Sequence, residues 1–273
     1  MSASAETFAA NRAVGKIALA VHATGGITRR ARVREHGSLR VRCPGPPADE
    51  LEAVIVNTAG GMAGGDRFAV EIAVEPGARL VVTTAAAEKV YRTLEPAATV
   101  DVKLAVAAGG SLAWLPQEPI LFDRARLRRT IEVDLAADAQ LILAEAMVFG
   151  RSGMGERVDD GRLLDRWRVR RAGRLLHADA VRLDGAIAAK LAEPAVAKGG
   201  VAAATVLVVP GDDAIVAAVR ALGENFRGEV GASAWKGVAV IRLCAADGAA
   251  LRHDLVAILS AIRGTALPRL WLN

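Results

Sequence analysis

Residues 68–84 read Phe68-Ala-Val-Glu-Ile-Ala-Val74-Glu-Pro76-Gly77-Ala-Arg79-Leu-Val-Val-Thr-Thr84, and the fold follows from this stretch. Strict alternation of apolar and polar side chains over 68–74 is the signature of a half-buried strand. Pro76-Gly77 is a turn, and 79–84 is a second, more apolar strand. The same unit returns three times. Strands at 100–106 and 112–115 flank Ala108-Gly-Gly-Ser111, and those at 130–135 and 140–145 flank Ala137-Asp138. The last pair, 165–169 and 174–180, flanks Arg171-Ala-Gly173. A spacing of about thirty residues lies in the range of stacked repeat architectures, and a unit this small buries its apolar face only against a neighbour. The expectation is a β-rich, helix-like stack of strands, although an antiparallel β-sandwich permits the same alternations.

Beyond Pro194 the pattern changes. A buried strand at 203–209 leads into Pro210-Gly211-Asp212, with Asp212 placed as the N-cap of a helix over 213–222. A hairpin follows at 229–234 and 238–244 around Trp235-Lys-Gly237, and a second helix runs from Asp247-Gly248 to Arg263, stopped by Gly264. The predicted organisation is an α+β chain. A stacked β-strand region spans 16–194, and a smaller strand-helix-strand-strand-helix module spans 195–273, packed on it or continuous with it.

Composition excludes several classes. Hydrophobic residues make up 52% of the 273 and mean hydropathy is +0.29, yet the longest uncharged run, 104–117, is broken by Gly109, Gly110, Ser111 and Pro116, so no span is expected. The segment Met1 to Asn11 has neither a basic nor an apolar region of a secretory leader. Cys43 and Cys244 are isolated, which fits a reducing cytoplasm. The net charge of +5 comes from 35 basic and 30 acidic residues, and aromatics are only 4%. That is too few for base stacking, and no nucleic-acid motif is present. In 166–170 the arginines alternate with Trp167 and Val169, which places them on one strand face, either solvated or facing an acidic partner.

Conventional active sites do not assemble. His22, His36, His177 and His253 are scattered without metal-ligand spacing, and no nucleophile-elbow, metalloprotease or kinase signature occurs. The loop Asn57-Thr-Ala-Gly60-Gly61-Met-Ala-Gly64-Gly65-Asp66 has two glycine pairs but lacks the ending and spacing of a phosphate loop. Three carboxylates stand out. Asp66 ends that loop, while Glu145 and Asp179 lie between small apolar residues at strand positions that the repeat makes equivalent. Carboxylates in apolar company are paired or functional, because burying a bare charge is expensive. Turn capping for Asp66 and ion pairs to arginine for the other two are the plain alternatives.

Taken together, several segments resemble the urease accessory protein D family. They are the Gly60-Gly61-x-x-Gly64-Gly65-Asp66 loop, the Pro76-Gly77 turn, Lys89-Val-Tyr91-Arg92-Thr93, Trp114-Leu-Pro-Gln117-Glu118 and Ile120-Leu-Phe122. Gly150-Arg151, Gly155-Glu156, Leu267-Pro-Arg-Leu-Trp-Leu272 and, upstream, Gly37-Ser-Leu-Arg-Val-Arg42 extend the likeness over nearly the whole chain. The resemblance favours the stacked, β-helical arrangement. It implies a non-enzymatic scaffold on apo-urease that works with the helical accessory protein F and the nickel-binding GTPase accessory protein G. Nickel would pass in transit, with no permanently bound cofactor or metal site, along a path lined by Asp66, Glu145 and Asp179, with Lys89, Tyr91 and Arg92 nearby. Oxygen donors hold a hydrated divalent ion loosely, whereas histidine and thiolate sets hold nickel tightly. Glu88 departs from the family pattern, which favours a small or hydroxyl residue there, and is a further candidate on the path. Gly60, Gly61, Gly64, Gly65, Gln117 and Glu118 are motif positions with structural or interface roles. Two other classes stay open: an enzyme or anion-binding protein using the 60–66 loop, and a β-solenoid interaction module unrelated to urease.

Overall fold

The computed structural model describes residues 12–272; the segment Met1 to Asn11, read above as lacking a leader, lies outside them. An antiparallel hairpin comes first, β1 (Val14–Thr24) and β2 (Ile27–Gly37), turned by Gly25 and Gly26 at positive φ. Next, β3 (Leu39–Arg42) pairs antiparallel with β4 (Glu50–Asn57) in a second sheet. The coils then begin. The strand β5 (Arg67–Val74) lies in the first sheet, β6 (Arg79–Thr84) in the second and β7 (Glu88–Val90) on a short third side. A second circuit follows with β8 (Ala98–Val106), β9 (Ser111–Leu115) and β10 (Pro119–Leu121), and a third with β11 (Arg126–Leu135) and β12 (Gln140–Phe149). The first sheet ends with β13 (Gly161–Arg171) and β14 (Arg174–Gly185). A six-residue helix, α1 (Ile187–Ala192), precedes β15 (Ala202–Val209), α2 (Asp213–Arg220), β16 (Glu229–Trp235), β17 (Val238–Ala245) and α3 (Gly248–Arg263).

The first sheet has the order β14-β13-β11-β8-β5-β1-β2, and the second runs β16-β17-β15-β12-β9-β6-β4-β3. Strands β1, β5, β8, β11 and β13 are parallel neighbours, as are β4, β6, β9 and β12. The stacked, β-rich reading is therefore the fold. The module after residue 195 continues the second sheet, because β15 hydrogen-bonds antiparallel to β12.

Packing explains why the two strand types read differently. The main core lies between the sheets. The outer face of the first sheet meets solvent, so β5 alternates buried and exposed along its whole length. The second sheet is covered outside by α3 and the carboxyl terminus, with Leu251, Leu255, Ile258, Leu259 and Trp271 packed on Val81, Ala113, Ala144 and Ala146. Buried on both faces, its strands become nearly continuous apolar runs, as in β12.

One repeat unit departs from the expectation. The first three cross from sheet to sheet, but 165–180 is a true antiparallel hairpin within the first sheet. Its turn residues Ala172 and Gly173 both have positive φ, 49° and 75°, the geometry that folds a strand back on itself. Glu145 and Asp179 are consequently not equivalent: one lies on β12 of the second sheet, the other on the edge strand β14 of the first. Outside, Arg168 of β13 neighbours Glu132, which neighbours Lys103, which neighbours Glu71. The arginine face of β13 thus belongs to a ladder of alternating charge, matching the solvated alternative.

Candidate functional site: two cavities and a buried ion cluster

Inward positions of the first sheet form a column across the strands. Phe68 aligns with Val100, Val100 with Arg129, and Arg129 with Asp165. The last two are charged and fully enclosed. Opposite them, Glu145 points inward from β12 and is equally buried. The Arg129 guanidinium grips Asp165 with two prongs, Nε to Oδ1 at 3.0 Å and Nη2 to Oδ2 at 2.6 Å, and donates through Nη1 to Glu145 Oε2. Each carboxylate also accepts an indole N–H, Glu145 from Trp114 at 2.7 Å and Asp165 from Trp167 at 3.2 Å. Burial works against the charge of Arg129, but Asp165 and Glu145 outweigh it and raise its pKa above the ordinary guanidinium value. Burial pushes the Glu145 carboxyl up, an effect that the guanidinium counters and the neighbouring Asp165 reinforces. Two carboxylates against one guanidinium leave a formal charge of −1 in the interior.

Two cavities meet at this cluster. A smaller one, about 320 Å³, is bounded by Asn57, Gly60, Thr84, Glu88, Gln117 and Trp114. A larger one, about 910 Å³, is bounded by Asp165, Asp179, Ala203, Glu229, Arg242 and Cys244. Both reach Arg129 and Glu145. Glu88 lies in the smaller cavity and accepts a hydrogen bond from Asn57 Nδ2 at 3.2 Å. Its burial raises the carboxyl pKa to about 7, and the Asn57 bond offsets this only in part. Asp179 lies in the larger cavity, paired with Arg242 at 2.7 Å. Three predicted carboxylates, Glu88, Glu145 and Asp179, therefore line these two spaces.

Asp66 is placed differently. It is buried, but its oxygens accept from the backbone N–H groups of Ala13 at 2.8 Å and Ala63 at 2.7 Å, and it lines neither cavity. The glycine loop is closed on itself. Ala59, Met62, Ala63, Gly65 and Asp66 all donate their amides within the protein, so the loop is not an open cradle for an anion. Met62 exchanges backbone bonds with Lys89 and Tyr91. The Tyr91 hydroxyl donates to the Gly60 carbonyl at 2.8 Å, and its ring stands edge-on to Phe122. Lys89 flanks the smaller cavity while Arg92, just beyond β7, is exposed and bridges to Ala125. Gln117 and Glu118 seat the far end of the chain. Gln117 Nε2 donates to the Leu270 carbonyl at 3.1 Å, and Arg252 donates to both side chains. Trp271 Nε1 reaches the Leu115 carbonyl at 3.0 Å.

Arg129 and Asp165 were not singled out from the sequence. The signal was present, because extending the inward parity of 131, 133 and 135 back two residues puts an arginine inside, and 163, 165, 167 puts an aspartate beside it. Among the described residues, no three histidine, cysteine, aspartate or glutamate side chains form a group that could hold a metal ion, and no helix is long and apolar enough to cross a membrane.

Comparison with known proteins places this geometry in a context. A family model described as UreD urease accessory protein matches residues 13–272. A protein of Rhodopseudomonas palustris named Urease accessory protein UreD is 58% identical over 268 residues, covering 98% of this chain and 96% of that protein. Its namesake from Bradyrhizobium diazoefficiens is 56% identical over 273 residues, covering 100% and 99%. Urease accessory protein UreD 3 of a Bradyrhizobium species is 55% identical over 272 residues, covering 100% and 98%.

Proposed function

The chain belongs to the UreD family of urease accessory proteins, a family of accessory factors and not enzymes, and from that premise we propose that it scaffolds the maturation complex on apo-urease and conducts nickel through its own interior. The observation that carries this reading is the pair of solvent-open cavities that reach the Arg129–Glu145 cluster, with Glu88, Glu145, Asp165 and Asp179 along their walls. Nickel is cargo here. Separated oxygen donors give it a series of weak stations, and weak stations let an ion leave as readily as it arrives. On this reading Gly60 and Met62 of the glycine loop shape one wall of the smaller cavity, Asp66 holds the loop together from outside it, and no metal is retained. The helical accessory protein F and the nickel-binding GTPase accessory protein G supply the ion in the cytoplasm, and apo-urease receives it.

The test uses cells carrying the urease subunits and all accessory proteins. Ala203→Leu narrows the larger cavity from its wall, and Asp179→Asn removes the charge opposite Arg242. Each variant should co-purify with apo-urease as the native chain does, while the nickel content of urease falls severalfold. Normal nickel content with both variants folded and bound sinks the conduit and leaves a scaffold.

A further inference from the structure

The two cavities share Arg129 and Glu145 and, among the described residues, nothing else. We propose that the Arg129 guanidinium is a gate on the interior path, clamped between Asp165 of the first sheet and Glu145 of the second, and that its release from Glu145 sets the rate at which an ion crosses. This rests on the transit reading above.

The two attachments differ in kind. Asp165 holds the guanidinium by two near-parallel bonds from the adjacent strand, in register within one sheet. Such bidentate geometry is the more demanding and the more specific. Glu145 holds it by Nη1 alone, across the space between the sheets. Asp165 is therefore the hinge and Glu145 the latch. Each carboxylate keeps an indole donor when the latch opens, since Trp114 bonds to Glu145 Oε1 while Arg129 uses Oε2. A released guanidinium has room to move, because the larger cavity adjoins it and carries further acids, Glu193, Glu229 and the Arg242-paired Asp179.

Charge gives the device its sense. With the latch closed, the guanidinium occupies Glu145 Oε2 at the one place common to both cavities and keeps that oxygen from an arriving dication, although the cluster as a whole carries a formal −1. With the latch open, it meets the Glu145 carboxylate, whose partner has withdrawn. A bare conduit would not need a cation at its junction. The cluster is also expensive as a purely structural feature, since a buried ion pair is weak evidence for stability.

The experiment measures nickel bound per urease against time in a reconstituted mixture of apo-urease, this chain and the other accessory proteins, with the thermal midpoint of each variant recorded alongside. Arg129→Lys keeps the charge but loses the fork, and should load nickel at least threefold faster to the same final content. Glu145→Gln keeps an acceptor for Trp114 and loses the latch charge, and should also load faster, whereas a Glu145 that only hands ions onward would load more slowly. A folded Glu145→Gln that loads no faster than the native chain overturns the gate, even if Arg129→Lys fails to fold. Ala203→Leu separates the two readings. If it slows loading while neither gate variant accelerates it, transit stands and the gate falls; if it has no effect, transit itself fails.

Discussion

Trp114 and Glu145 stand on neighbouring parallel strands of the second sheet, and the indole N–H donates to the carboxylate at 2.7 Å inside the stack. The bond matters because Glu145 spends its other oxygen on Arg129. Replacing Trp114 by Phe leaves that buried carboxylate oxygen without its donor, at a cost of about 1–3 kcal/mol. Chemical denaturation of the purified chain checks this, and an unchanged midpoint would show the bond to be dispensable.

Arg129→Met should be the most damaging single change in the interior. It strips the cationic partner from two buried carboxylates, Glu145 and Asp165, and breaking a buried pair on one side costs about 3–5 kcal/mol. Adding Glu145→Gln and Asp165→Asn to the same chain removes the stranded charges and should recover much of the loss. A triple variant no more stable than Arg129→Met would refute that account.

The carboxyl of Glu88 has its pKa raised to about 7 by burial, from an ordinary value of 4.5. A raised acid pKa means that the folded chain holds a proton the unfolded chain has already lost. Its contribution therefore favours the fold most below pH 4.5 and falls as pH rises through 7. Glu88→Gln should remove this slope and leave the variant more stable than the native chain at pH 8, by about 1–3 kcal/mol. Parallel pH–stability curves for the two proteins would contradict it.

Asp66→Ala removes the acceptor for two part-buried amides, those of Ala13 and Ala63. The expected loss is about 2–4 kcal/mol, from roughly 1–3 for each unsatisfied donor with partial relaxation. Asp66→Asn, which keeps one acceptor oxygen, should fall between. Nickel loading by whatever Asp66→Asn folds should match the native chain, since this side chain touches neither cavity.

The four glycines of the loop should respond unequally to alanine. At Gly61 the backbone has φ of 145° and an added Cβ would lie 2.5 Å from the Tyr91 ring. At Gly60 φ is 76° but the space is open. Gly60→Ala should cost only the left-handed penalty of about 1–2 kcal/mol. Gly61→Ala adds a collision with Tyr91 and should cost about 1 kcal/mol or more beyond that, readable as the difference between two thermal midpoints.

Much of the architecture was legible because it rests on local signals. Alternation over 68–74 and 100–106 marks strands with one wet face, and Asp212 caps α2 by accepting from the amides of Ala214 and Ile215, as its position implied. Gly264 ends α3 in the left-handed conformation, again as read. The hairpin at 165–180 has the same strand spacing as the coils, so its sequence reads as one more equivalent unit, and only the backbone at Ala172 and Gly173 distinguishes them. The helix α1 was not foreseen; six residues with two buried side chains, Ile187 and Leu191, give too little period to detect. The interior cluster was half legible. Glu145 drew attention through its apolar neighbours, but Arg129 sits in an arginine-rich stretch where side chains on opposite faces read alike. Its pairing with Asp165 spans 36 residues and depends on strand register.

Solenoids whose coils touch only their neighbours gain and lose structure piecemeal, from either end. This chain is laced differently. Arg263, in the last turn of α3, reaches Glu50 at the start of β4 over a separation of 213 residues, and Trp271 fastens onto Leu115 across 156. These late contacts bind the first coils to the final residues, so the stack cannot unzip one coil at a time. Its unfolding should be a single cooperative event, and the walls around the interior stand or fall together. A chain missing only its last few residues would then lose its middle as well as its end.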